Sequence, residues 1–130
     1  MKKIIASLFL LFLANSFYGQ NKGITYQAVI YSPDAIVLPG QDNMLAPLTS
    51  QEVCMRFSFL DEGLTSEYEE TITVITDDFG MVNLTLGQAA QSGGYASGFE
   101  EMTWDGTSKN LMVELDVSGN CFEFVEISNT

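Results

Sequence analysis

Apolar residues recur at every second position along this chain, and that periodicity limits the fold more than any other feature of the sequence. Within 52–60, Val53, Met55, Phe57 and Phe59 alternate with Cys54, Arg56 and Ser58. Successive strand residues point to opposite faces, so the first set shares an inward face and the second faces out. The same alternation predicts strands over 23–31 (Ile24, Tyr26, Ala28 and Ile30 inward), 67–76 (Tyr68, Ile72 and Val74 inward) and 81–86 (Val82, Leu84 and Leu86 inward). Two more follow over 110–117 (Leu111, Val113, Leu115 and Val117 inward) and 121–127 (Phe122 and Phe124 inward). Glu70 falls on the inward face, which places its end of the strand near a rim. Thr76-Asp77-Asp78-Phe79-Gly80 has turn chemistry and predicts a hairpin between the strands it joins. The segment 32–50 holds Pro33, Pro39 and Pro47, which lack ladder donors, so it reads as a loop. The Gly- and Ser-rich segment 87–98 reads as another. Over 99–104, one helical turn or a short strand would drop Phe99, Met102 and Trp104 onto the core.

Strands with one apolar face each must hide those faces against one another. The predicted fold is all-β: an antiparallel two-sheet β-sandwich, immunoglobulin-like or transthyretin-like, with layers about 10 Å apart. A half-open barrel is the alternative. The chain is 46% hydrophobic, which argues against disorder.

The sequence divides into a leader, 1–20, and a single domain, 21–130. Lys2 and Lys3 precede an uncharged apolar run over 4–14. A spanning helix needs about 20 apolar residues, so this run has the length of a signal peptide's apolar region. Export implies a secreted or cell-surface location, extracellular or periplasmic, with no membrane insertion once the signal is cleaved. It also places Cys54 and Cys121 where a disulfide can persist. A bridge between them and a pair of free thiols both remain open.

Charge and composition exclude several function classes. All 17 acidic residues lie after Gln20, against Lys22, Arg56 and Lys109, a balance of −14. Such a surface repels phosphate backbones and anionic lipid, which excludes nucleic acid as a partner. The chain has no His, so Ser-His and Cys-His catalysis and His-ligated metals are excluded. The acidic pairs Asp61/Glu62, Glu69/Glu70, Asp77/Asp78 and Glu100/Glu101 invite comparison with glycosidase carboxylates. Neighbours on a strand point apart, however, and neighbours in a turn face water, so the pairs read as solvated charge. Asp77 and Asp78 are the candidates for a weak calcium site, although no EF-hand spacing is present. Apart from that calcium, no cofactor is expected. Tyr31 and Tyr95 are the candidate surface contacts, whereas Trp104, among Phe99, Met102 and Leu111, reads as core.

Several stretches, taken in order, are more specific than any one of them. They are Gly23-Ile24-Thr25-Tyr26-Gln27-Ala28-Val29 after the leader, Arg56-Phe57-Ser58-Phe59-Leu60-Asp61, and Tyr68-Glu69-Glu70 running to Thr76. Phe79-Gly80, Leu84-Thr85-Leu86-Gly87 and Lys109-Asn110-Leu111-Met112-Val113-Glu114-Leu115-Asp116 follow. This order resembles the N-terminal β-sandwich module of secreted, modular surface proteins of Bacteroidota. The resemblance implies a position ahead of collagen-like, tail-fibre-like or type IX sorting regions. It also implies a closing strand, absent from this sequence, that ends near Val-Pro-Tyr-Ala in the family. It brings no catalytic residues.

The functional expectation is a non-enzymatic surface module with a structural or adhesive role. Its partners would be other modules of a larger surface protein or cell-surface polymers. A strand-sharing, pilin-like polymerising subunit is the alternative, and a glycan-binding or glycan-active protein stands behind both.

Overall fold

The computed structural model describes residues 23–32 and 46–130; the leader expected over 1–20 and most of the loop expected over 32–50 lie outside them. Among the described residues seven strands follow in order: β1 (Ile24–Val29), β2 (Glu52–Leu60), β3 (Ser66–Ile75), β4 (Met81–Leu86), β5 (Gln91–Gly93), β6 (Asn110–Asp116) and β7 (Val125–Asn129). A single 3-10 turn, Phe99–Glu101, lies between β5 and β6. All strand pairs are antiparallel. They form a two-stranded sheet, β1-β4, and a five-stranded sheet ordered β5-β3-β2-β6-β7. Among the described residues no helix is long and apolar enough to cross a membrane.

The sheets meet along the predicted inward faces. Val53, Met55, Phe57 and Phe59 of β2, Tyr68 of β3, and Val113 and Leu115 of β6 share one buried cluster with Ile30, Val82 and Leu86 from the small-sheet side. Tyr26 of β1 closes edge-on over Phe57 at 4.9 Å between ring centroids. Edge-to-face geometry suits two aromatic quadrupoles and adds to the burial of both rings.

The expected hairpin between the third and fourth strands does not form. β3 stays in the large sheet, while β4 pairs with β1 in register from Ile24↔Leu86 to Val29↔Met81. The Asp77–Gly80 segment is therefore an arch between layers. Asp77 Oδ1 accepts hydrogen bonds from the Phe79 and Met81 amides, both at 2.8 Å. Gly80 has φ +77°, and a Cβ there would lie 2.8 Å from Pro47 Cβ. Asp followed by Gly suits an arch and a hairpin equally. Burial decides between them, because β3 and β4 each carry an apolar face and can cover each other only from opposite layers.

Glu70 is not at a rim. It is fully buried in the inner row, where it lies between Phe57 and its own hydrogen-bond donors. Tyr68 Oη donates to its carboxylate at 2.9 Å, and the Gly87 amide reaches it at 3.0 Å. Burial, and then the carboxylate, push the Tyr68 phenol well above its usual range.

The predicted strand over 121–127 starts late, at Val125. Phe122, expected inward, is 87% exposed, and Phe124 is half-buried under the Arg56 guanidinium, 4.2 Å from its ring centroid. The cause is Asp116. Its carboxylate accepts hydrogen bonds from Ser118 N and Oγ and from the Phe122 and Glu123 amides. These bonds wind 117–123 into a compact turn with Cys121 at φ +61°. That turn is fastened to the outer face of β2 at Cys54, which is buried although it faces outward; Ser58, also buried on that face, donates to Glu69 Oε2 at 3.3 Å. The loop predicted over 87–98 likewise contains β5, paired to β3 at Glu69 and Glu70.

Those bonds hold the Asp116 carboxyl far below the usual aspartate range, the Ser118 hydroxyl contributing most. The folded-state pKa is depressed, so the stabilisation is complete above the unfolded value of about 3.9 and drains away as pH falls toward the lower folded value. Urea midpoints measured from pH 7 downward should therefore decline below about pH 4. Asp116→Asn should lower the neutral-pH midpoint and flatten that decline; an unchanged slope would exclude this role.

Candidate contact surfaces

Cys54 and Cys121 are joined by a disulfide, with Cα atoms 5.3 Å apart. It pins the 117–123 turn onto the central strand. Beside it, Arg56 grips Glu114 in a bidentate pair, Nε and Nη2 donating at 2.6 and 2.8 Å. Paired to Glu114 in this way, the Arg56 guanidinium is held above its ordinary pKa.

At one end of the large sheet, three loops converge on a cleft of about 290 Å³. The β2–β3 turn supplies Asp61, whose Oδ1 accepts from the Gly63 and Thr65 amides, each at 2.9 Å. The segment after β5 supplies Tyr95, whose hydroxyl donates to Asp61 Oδ2 at 3.1 Å. This segment is laid against β3 by the Tyr95 amide on Ser66 O and the Ala96 amide on Glu67 O. Such close approach requires Gly94, at φ +93°, where a Cβ would lie 2.5 Å from Glu67 O. The segment before β6 supplies Asp105, which accepts from Thr107 N and Oγ1 at 3.0 and 2.7 Å.

Glu67 forms the cleft floor. It is 1% exposed and accepts from the Thr103 amide at 2.6 Å and from Lys109 Nζ. Burial raises the Glu67 pKa, but Lys109 and Thr103 outweigh it and hold the group below its ordinary value. Asp61, through the Thr65 amide first, and Asp105, through the Thr107 hydroxyl first, are lowered as well. A glycosidase general acid needs a raised pKa, so none of these three is prepared for that role. The cleft instead presents ionised acceptors beside an exposed tyrosine ring. That chemistry suits a cationic or polyhydroxylated group.

Removing the cation should expose the cost of this floor. Lys109→Met leaves Glu67 buried without its counter-charge and should destabilise the fold by about 2 kcal/mol, below the fully buried range because the cleft is open to water. Lys109→Met combined with Glu67→Gln should recover most of that loss in denaturant titrations. No recovery would show that the two side chains are not coupled.

The other predicted site residues are dispersed. Asp77 is taken up by its own arch, and Asp78 accepts from Ser50 Oγ at 3.1 Å, so the two carboxylates serve separate bonds. Among the described residues no group of three or more His, Cys, Asp or Glu side chains could hold a metal ion. Tyr95 is exposed at the cleft mouth, whereas Tyr31 is half-exposed at the opposite sheet rim, bridged to Pro47. Trp104, expected in the core, is 53% exposed; its ring rests edge-on against Phe59 and its indole Nε1 donates to Phe99 O at 3.3 Å. The Glu67–Lys109 pair was not among the predicted sites. Its members are 42 residues apart, and no local spacing connects them.

The second surface is an apolar seam where the rims of the two sheets adjoin. Two hollows of about 160 and 300 Å³ share Tyr31 and Leu115 as walls; Val117, Glu123 and Val125 complete one, Val29, Ile30 and Ile127 the other. Compared with protein-family models, curated proteins and solved structures, the chain matches none.

Proposed function

We propose that this chain is an exported, non-enzymatic β-sandwich module with a structural and adhesive role in a cell-surface protein. The observation that carries this reading is the Cys54–Cys121 disulfide on the central strand. A structural disulfide belongs to an oxidising compartment, which agrees with the signal-like residues 1–20. The order of motifs resembling Bacteroidota surface modules supports neighbours that are further modules or cell-surface polymers. An immunoglobulin-like or transthyretin-like arrangement is the finer form of the fold, supported by the strand arch between layers. The acidic cleft with Tyr95 at its mouth is the adhesive contact, on loops held by a stiff framework.

Two measurements test this proposal together. Residues 1–20 fused to alkaline phosphatase should give enzyme active only outside the cytoplasm, and Leu10→Arg in the leader should abolish it. The purified module should be retained on immobilised cell-surface polysaccharide, and Asp61→Asn with Tyr95→Ala should release it. An inactive fusion would remove the export claim, and retention unaffected by the double variant would remove the cleft.

A further inference from the structure

β1 and β7 each lie at the edge of their sheet among the described residues, so each presents unpaired backbone groups along one side. The seam runs between these two edges. On β7, Val125 and Ile127 face it; from β1 and the residues just beyond come Val29 and Tyr31. All four are exposed apolar side chains, two residues apart on each strand. That spacing matches the repeat of an extended chain, whose alternate side chains would enter the hollows while its backbone pairs with β7. A helix would leave the edge unpaired.

Charge selects the source of that strand. Glu123 lines the seam, and Glu126 lies on β7. Both described cations are engaged elsewhere, Arg56 by Glu114 and Lys109 by Glu67. A second copy would bring another strongly acidic chain, −12 in all and −14 over 21–130, against these carboxylates, and like charges across an interface oppose association. We propose that the β1–β7 seam receives an extended segment of a different protein, apolar at alternate positions and carrying Lys or Arg between them. This proposal rests on the seam alone and does not depend on export or on the cleft.

The test uses the full chain and a fluorescein-labelled peptide, Lys-Val-Thr-Val-Lys-Val-Thr-Val-Lys, followed by fluorescence anisotropy. Binding is expected, at least roughly tenfold weaker for the same peptide with Glu replacing Lys, and weakened by added salt. Ile127→Asp should abolish it, whereas Phe79→Asp, at an exposed apolar site elsewhere, should not. Amide exchange in the unsubstituted protein gives an independent readout: the peptide should slow exchange in β7, even if Ile127→Asp fails to fold. Equal binding of both peptides, or none, overturns the proposal. So does a dimer that Ile127→Asp dissociates, which would make a second copy the occupant. Binding that appears only after deletion of 33–45 would give the seam to the chain's own loop and overturn it as well.

Discussion

Replacing both cysteines, Cys54→Ala with Cys121→Ala, is expected to cost about 4 kcal/mol of stability. The bond joins positions 67 residues apart, so breaking it returns a long loop's worth of freedom to the unfolded chain. On the chain-entropy treatment a loop of this length is worth about 4 kcal/mol. For a domain of this size that should lower the melting temperature by roughly 15 °C or more. The folded state loses as well, because the bond holds the 117–123 turn against Cys54 of the central strand. Without the bond, the turn is left to the Asp116 carboxylate and to the Gln51 side chain on Val117 O, so combining Asp116→Asn with the cysteine replacements should exceed the sum of the separate effects. Calorimetry on the variants settles both points; a shift of only a degree or two would show that the covalent link is incidental.

The second large effect is expected at Glu70. Its carboxylate lies in the inner row of the sandwich, joining the Tyr68 hydroxyl to the Gly87 amide just past β4. It therefore ties the large sheet to the end of the small one. Glu70→Ala leaves both donors buried without an acceptor and opens a void, at a cost of about 3 kcal/mol. Glu70→Gln keeps an acceptor oxygen at the same reach, so its cost should be smaller, about 1 kcal/mol. Denaturant midpoints give the order wild type, Gln, Ala. An alanine variant as stable as wild type would mean that the carboxylate does not hold the layers together.

Glu70 also shows where the sequence stopped being legible. Period two located 52–60 and 81–86 to the residue and assigned Val53, Met55, Phe57 and Phe59 to the core face, because burial acts on each residue locally. It could not show that Tyr68 and Gly87 would satisfy a carboxylate there, since Gly87 arrives from the other layer. The Asp77–Gly80 turn failed for a related reason: the same Asp and Gly serve a hairpin or an arch, and only the choice of partner strand separates them. Phe122 was misplaced because Asp116 gathers the amides of the next turn and interrupts the alternation. Of the cleft, Tyr95 was legible from its Gly-rich surroundings, but Glu67 and Lys109 meet only through the fold. The seam was half legible in Tyr31; Val125 and Ile127 complete it because β7 begins later than the alternation suggested.

The most direct measurement is peptide mass mapping, without reductant, of the full chain expressed with its leader and recovered from the periplasm of a bacterial host. The expected product lacks residues 1–20 and has the Cys54 and Cys121 peptides in one cross-linked species, two hydrogens lighter than the separate pair. A cytoplasmic product that retains its leader, with both thiols open to alkylation, would contradict it.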